Sequence, residues 1–276
     1  MTVNFPIKTF KGARRYISVR KICKSNERFF YPAHRHDFYE LVFFNKGSGT
    51  HRIDFSDYPV AKNLIYFLSP GRIHEMKPDN QEGFIIAFPK DILYDIQATE
   101  NVSVSQLFYY PDNNYSVDIS LGHVPTLHNL VALLEYEAAK PNQNQKLVRN
   151  YLSALLINCL ECRGLSNPIK IDDRIIKLRM EINKSYITQR SGSYYAKKVY
   201  LSLKHLNDLS IQTLGKTVTQ LIHERLLLEA KREIVYTDNS IKEIAYKLRF
   251  KDPAYFNRFF KNLEGMTPNE FRKISK

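Results

Sequence analysis

The chain has 276 residues, 43% of them hydrophobic and 13% aromatic, and carries a formal net charge of +13. That length leaves room for about two globular domains, and no apolar run approaches the roughly 18 residues of a membrane helix, so no membrane partner is expected. Three cysteines, Cys23, Cys159 and Cys162, exclude a disulfide framework; with no leader-like apolar stretch near Met1, a cytoplasmic location is expected.

The charge is uneven. From Asp172 to Lys276 there are 21 Lys and Arg against 12 Asp and Glu, a net +9, whereas the first 171 residues carry 20 against 16, a net +4. A basic C-terminal third points to a polyanion, which in the cytoplasm means nucleic acid. A solvated basic surface explains the same excess, so charge alone does not decide.

The first 122 residues read as strands. Short apolar-aromatic runs such as YISVRKI, FYELVFF, THRIDF, NLIYFLSP and EGFIIAFP are separated by Gly, Pro, Asn and Asp, the rhythm of a β-sandwich or barrel. Within them PAHRHDFYELVFF, from Pro32 to Phe44, holds a His-x-His-x-x-x-Glu run. On one straight strand His34, His36, Phe38 and Glu40 would share a face. His34 and Glu40 would then have Cα atoms about 20 Å apart, too far to share one ion bonded at about 2 Å. A bend near Asp37 would bring them together, but no Gly or Pro stands there to make it. Hydrogen bonding inside a barrel, polar anchoring of a small ligand and metal binding all stay open. The first two are favoured.

Residues 123–165 change texture. PTLHNLVALLEYEAAK and QNQKLVRNYLSALLINCLECR are two helical stretches, the second with an apolar stripe that Leu152 and Leu156 widen. The pair either covers the barrel or forms a homodimer face. Cys159-x-x-Cys162 lies on the second helix with no other Cys pair to complete a zinc site. GLSNPIK, from Gly164 to Lys170, has the composition of a linker.

Residues 166–276 read as all helix and contain an internal repeat. Ser191, Ala196, Val199 and Leu201 match Ser240, Ala245, Leu248 and Phe250 at a spacing of 49; Leu206 matches Phe256, and GKT at 215–217 matches GMT at 265–267, at 50. Each copy reads as a short helix, a tight turn and a second helix begun at a capping residue, Ser202 or Asp252. With Leu206, Phe256 and Phe260 inward, the outward residues are Lys204, His205, Asn207 and Asp208 in one copy and Ala254, Asn257, Arg258 and Lys261 in the other. A sharply angled helix pair with a polar second helix on a basic domain is a helix-turn-helix.

AYKLRFKDPAYFNRFFKNLEGMTPNEFR, ERLLLEAKREI, NSIKEIA and GKT together resemble the signature of the AraC-type transcription regulators, over about the last 105 residues. The resemblance implies two helix-turn-helix units on a long joining helix, here Val218 to Tyr236, with the second helix of each unit in the major groove of double-stranded DNA; nineteen residues at ~1.5 Å each span about 28 Å, close to the roughly 34 Å between successive major-groove faces. It also implies a small-molecule effector and contact with RNA polymerase. Arg249 departs from the family's usual Gly, so strain of about 1 kcal/mol is expected there, unless the turn is reshaped; a phosphate contact by Arg249 would offset it. Asp208 cannot contact phosphate; it either orients Lys204 or accepts from a cytosine amine.

Family members often carry a cupin-like sensor barrel, and the N-terminal half is similar to one. His34, His36 and Glu40, followed by Gly47, fit the first cupin motif, and SPGRIH, ending at His74, resembles the second. The resemblance makes His34, His36, Glu40 and His74 metal ligands in cupins that hold metal. The reading preferred here makes them, with Phe38, an effector pocket with no metal or other cofactor. The expected whole is α+β and multidomain: a cupin-like β-barrel with covering or dimerising helices, then an all-α domain of two helix-turn-helix units. It would be a sequence-specific transcription regulator and activator, not an enzyme; a metal-dependent cupin enzyme with a helical appendage is the alternative. No catalytic triad, P-loop or dinucleotide signature competes.

Overall fold

The structure, a computed structural model, describes residues 8–10, 17–23, 32–76, 80–100, 104–109, 115–163 and 172–275. The linker expected at Gly164–Lys170 lies outside them. The described residues from Lys8 to Arg163 make one compact unit, and those from Asp172 to Ser275 make another.

The first unit holds strands β1 (Lys8–Phe10), β2 (Ser18–Ile22), β3 (His34–His36), β4 (Tyr39–Lys46), β5 (Thr50–Ile53), β6 (Ser56–Pro59), β7 (Leu64–Leu68), β8 (Ile73–Met76), β9 (Glu82–Phe88) and β10 (Ser116–Asp118). They form two five-stranded sheets, ordered β1-β3-β8-β5-β6 and β10-β7-β4-β9-β2. Val42, Phe44, Ile53, Tyr66, Leu68 and Met76 fill the space between the inner faces. Gly83 on β9 is required by a close approach, since an added Cβ would sit 1.9 Å from the Phe43 carbonyl oxygen.

The stretch around the histidines differs from the straight strand considered above. The chain breaks at Asp37 and Phe38, so that β3 pairs in one sheet and β4 in the other. The bend needs neither Gly nor Pro, because changing sheets is what turns the corner.

Helices cover the outer face of the second sheet: α1 (Lys90–Glu100), α2 (Gln106–Tyr109), α3 (Val124–Ala138) and α4 (Gln145–Cys162). The Tyr39 ring packs edge-on to Phe108 at 4.6 Å, its hydroxyl lies 2.8 Å from that of Tyr109, and Phe43 meets His128 at 5.2 Å. Strand β4 is therefore buried on both faces, which is why its sequence is an unbroken apolar run rather than an alternation. Helices α1 and α2 correct the all-strand expectation for this stretch. The buried apolar side chains of α1 are Leu93 and Ile96, too few for a visible period.

Asn144 caps α4, accepting from the backbone of Lys146 at 3.1 Å and Leu147 at 3.3 Å. Helices α3 and α4 pack on each other and on strands β2 and β10. Leu152 and Leu156 are fully buried inside the unit, so a self-association face cannot use them as expected. Cys159 is buried, Cys162 half-buried, and both are free thiols.

The second unit is α5 (Asp173–Ser185), α6 (Gly192–Lys198), α7 (Leu203–Leu214), α8 (Val218–Tyr236), α9 (Ile241–Lys247), α10 (Pro253–Glu264) and α11 (Pro268–Ser275). The repeat is structural as well as sequential. Helices α6 and α9 start 49 residues apart, α7 and α10 start 50 apart, and so do α8 and α11. Ser202 accepts from His205 N at the start of α7, and Asp252 accepts from Tyr255 N at the start of α10. Gly215 and Gly265 end the two helices at φ of 68° and 82°, the left-handed cap that glycine adopts without a Cβ penalty. Thr217 with Gln220 and Thr267 with Glu270 then form matching side-chain boxes at the next helix starts.

Candidate nucleic-acid interface and barrel site

Buried Leu206 in α7 and buried Phe256 and Phe260 in α10 fix which sides of those helices face inward. The opposite sides leave Lys204, His205 and Asp208 exposed on α7, and Ala254, Arg258 and Lys261 exposed on α10. Asn207 and Asn257 are half-buried and turned to local work. Asn207 Oδ1 accepts from Val218 N at 3.0 Å, satisfying a donor at the start of α8, and Asn257 Nδ2 donates to the Pro253 carbonyl at 2.9 Å. The same outward faces carry Ile211 and Tyr255, each 48% exposed, which sequence reasoning passed over. The 50-residue offset would have found them, since His205 corresponds to Tyr255 and Ile211 to Lys261.

Arg249 has φ 57°, so the turn keeps its left-handed conformation without glycine. Its counterpart in the first copy is Tyr200, at φ 58° and 87% exposed. Both copies thus place a large exposed side chain at a strained corner, at a cost of about 1 kcal/mol each.

Helix α8 holds the two copies in a fixed relation. Lys231 pairs with Glu264 of α10 at 2.8 Å, Glu233 with Lys247 of α9 at 2.7 Å, and Arg225 donates to Asn183 of α5 at 2.7 Å. Arg232, fully buried, pairs with Glu229 at 3.1 Å; burial makes such a pair costly to break from one side. Arg190, just before α6, donates to the Leu248 carbonyl and stacks its guanidinium 4.2 Å from the Phe250 ring. The first copy is thereby pinned to the turn of the second.

In the barrel, three elements of one sheet and one strand of the other bring their polar residues together. His36 comes from β3, His51 from β5, His74 from β8 and Glu40 from β4, and all four are buried. Glu40 Oε1 lies 3.8 Å from His36 Nε2 and 3.6 Å from His74 Nε2. These three atoms all lie within 4.8 Å of one another, and none has a hydrogen-bond partner among the described residues. His36 Nδ1 donates to the Phe38 carbonyl at 2.8 Å, which leaves its Nε2 lone pair facing the carboxyl group. His74 Nδ1 and His51 Nε2 are 3.1 Å apart. The Phe38 ring stacks on His36 at 4.3 Å. His34 stands beside this group: its Nδ1 donates to the Pro32 carbonyl at 3.2 Å and its ring lies 4.2 Å from that of His74.

Burial sets the charge of the cluster. Desolvation pushes Glu40 up to about 8, against a smaller downward pull from Arg20. It also pushes His36 down to about 4 and His51 to about 3, and holds His74 well below the ordinary histidine range. Without a cation the cluster is thus a neutral carboxyl group among neutral imidazoles.

A family model described as the AraC-like ligand binding domain matches residues 17–160, and one described as a helix-turn-helix domain matches residues 195–274. The HTH-type transcriptional activator RhaR of Mannheimia succiniciproducens is 24% identical over 258 residues, covering 88% of this chain and 87% of its own. The HTH-type transcriptional activator RhaS of Salmonella paratyphi A is 23% identical over 250 residues, covering 88% of each chain. Among solved structures, ToxT from Vibrio cholerae aligns with a TM-score of 0.46 at 14% identity, covering 93% of this chain and 97% of that one. No helix among the described residues is long and apolar enough to cross a membrane. With a ligand-binding β domain ahead of a helix-turn-helix domain, the chain belongs to the AraC family of DNA-binding transcription regulators.

Proposed function

We propose that the protein activates transcription from operators that α7 and α10 read in successive major grooves, under control of a small molecule bound in the barrel. The observation that carries this reading is the duplicated unit itself: two capped second helices, pinned to one helix whose length is about 28 Å. Lys204, His205 and Asp208 supply the contacts of the first copy, and Ala254, Arg258 and Lys261 those of the second, with Arg249 reaching a phosphate. Asn207 and Asn257 act by holding their helices in place. The names of the relatives support activation, and with it contact with RNA polymerase.

The proposed effector pocket is His34, His36, Phe38, Glu40 and His74, and its extension to His51 is supported by the 3.1 Å between His51 Nε2 and His74 Nδ1. An effector controls DNA binding only through differential affinity for two states of the whole molecule, and buried polar groups with few partners supply it. The protein works in the cytoplasm as a homodimer whose contact lies on the exposed side of α3, where Leu133 is 45% and Tyr136 69% exposed, rather than on Leu152 and Leu156. Genome-wide mapping of bound sites, read beside transcript levels with and without the gene, tests the proposal. It expects a shared motif with two blocks one helical turn apart upstream of genes whose transcripts fall when the protein is absent. Bound sites without a motif, or unchanged transcripts, would refute it.

A further inference from the structure

The cupin resemblance implies four metal-ligand positions, but the geometry brings together only three, and it adds a histidine that the resemblance does not name. Nε2 of His36, Oε1 of Glu40 and Nε2 of His74 face one another, buried and without hydrogen-bond partners among the described residues. Buried polar atoms are nearly always paired, so three orphans in one place ask for a shared partner. Their separations from Glu40, 3.6 and 3.8 Å, are too long for good hydrogen bonds. They are near the ~3.4 Å edge of a tetrahedron with bonds of about 2.1 Å, the usual length for histidine and carboxylate on zinc. Two imidazoles and one carboxylate also form a donor set that suits divalent first-row metals.

We infer that the barrel binds one divalent transition-metal ion through His36, Glu40 and His74, with His51 as a positioning residue and His34 outside the coordination sphere. A bound ion at His74 Nε2 requires the proton on Nδ1, which then donates to His51 Nε2 across the observed 3.1 Å. His36 is oriented the same way by the Phe38 carbonyl at 2.8 Å. Each histidine ligand is thus backed by an acceptor that fixes its ring and tautomer, as such ligands generally are. Three protein ligands leave at least one position open, where a chelating small molecule could complete the sphere. Metal binding is independent of the DNA-reading proposal, so either can fail alone.

The test uses the purified full chain, stripped with a chelator and titrated separately with Zn²⁺ and Co²⁺, reading stoichiometry, the visible cobalt spectrum and the thermal midpoint. The expected result is one equivalent per chain, cobalt bands of a low-coordinate nitrogen and oxygen site, and a raised midpoint. His36→Gln and His74→Gln should each abolish stoichiometric uptake while keeping a cooperative melt. His51→Phe should retain the site but weaken it by roughly 10–100-fold, and His34→Gln should keep one equivalent and the same cobalt bands. No stoichiometric uptake by the wild-type chain overturns the inference whatever the variants do. Undiminished uptake by both ligand variants overturns the assignment of ligands, unchanged affinity in His51→Phe removes the positioning role, and loss of uptake in His34→Gln replaces the three-ligand site by a four-ligand one.

Discussion

On α7 the outward residues Lys204 and Asp208 cancel in charge, whereas the exposed charged residues of α10 are Arg258 and Lys261. The cores diverge as well. Leu206 is the fully buried apolar anchor of α7, while in the second copy Phe250 packs against Phe256 and Phe259, each at 5.1 Å, and Phe256 against Phe260 at 6.1 Å. Yet the second-helix caps, the strained corners and the lengths of the paired helices, α6 with α9 and α7 with α10, are the same in both. Backbone geometry is thus kept by a few caps and inward positions, and the remaining positions are free to diverge in what they read. On the proposed reading the second copy supplies the phosphate attraction, and the first adds selectivity with little net charge.

The largest expected effect breaks one copy at its core. Phe256→Ala should destabilise the helical unit by ~3–5 kcal/mol, and Leu206→Ala by ~2–5 kcal/mol with a smaller central value, because more ring contact is lost than aliphatic contact. Chemical denaturation of a fragment starting near Asp172 checks the order; equal losses would deny that the aromatic core of the second copy contributes more. Next comes the reading surface. Arg258→Ala should weaken specific DNA binding by roughly 1–3 kcal/mol and relax preference at particular base pairs. Asp208→Ala, the equivalent position 50 residues earlier, should leave affinity within a few-fold. Binding isotherms on the mapped operator compare the two.

A smaller effect should fall on both copies alike. Ser202→Ala and Asp252→Ala each remove a helix cap and should cost about 1 kcal/mol of stability; thermal melts showing a loss in only one copy would mean that the caps are not equivalent. The smallest change should be a gain. Tyr200→Gly and Arg249→Gly relieve left-handed strain and should stabilise by up to about 1 kcal/mol. Arg249→Gly alone should also reduce the salt dependence of DNA binding by about one phosphate contact.

The helical half was largely legible in the sequence, because its signals are local. Val218 to Tyr236, which the family resemblance marks as the joining helix, is the observed range of α8, and both second-helix caps fall where Ser202 and Asp252 indicated. What was missed there is tertiary: nothing in the spacing shows that Asn207 turns toward the start of α8. In the barrel more was hidden. A sheet change at Asp37 leaves no Gly or Pro behind, so the straight-strand distance between His34 and Glu40 took no account of the corner that brings Glu40 to within 3.8 Å of His36. His51 reaches the cluster only through the pairing of β5 with β8, which sets Ile53 opposite His74, a register that no local pattern contains. Leu152 and Leu156 showed an apolar stripe but not which surface covers it.

Guanine methylation interference on a mapped operator, with the full chain and with Arg258→Ala, tests the central claim most directly. Two clusters of major-groove interference about one helical turn apart on one face of the duplex are expected, and Arg258→Ala should remove one cluster and leave the other. A single cluster, or loss of both together in the variant, would contradict the account of two copies that read DNA separately from one rigid helix.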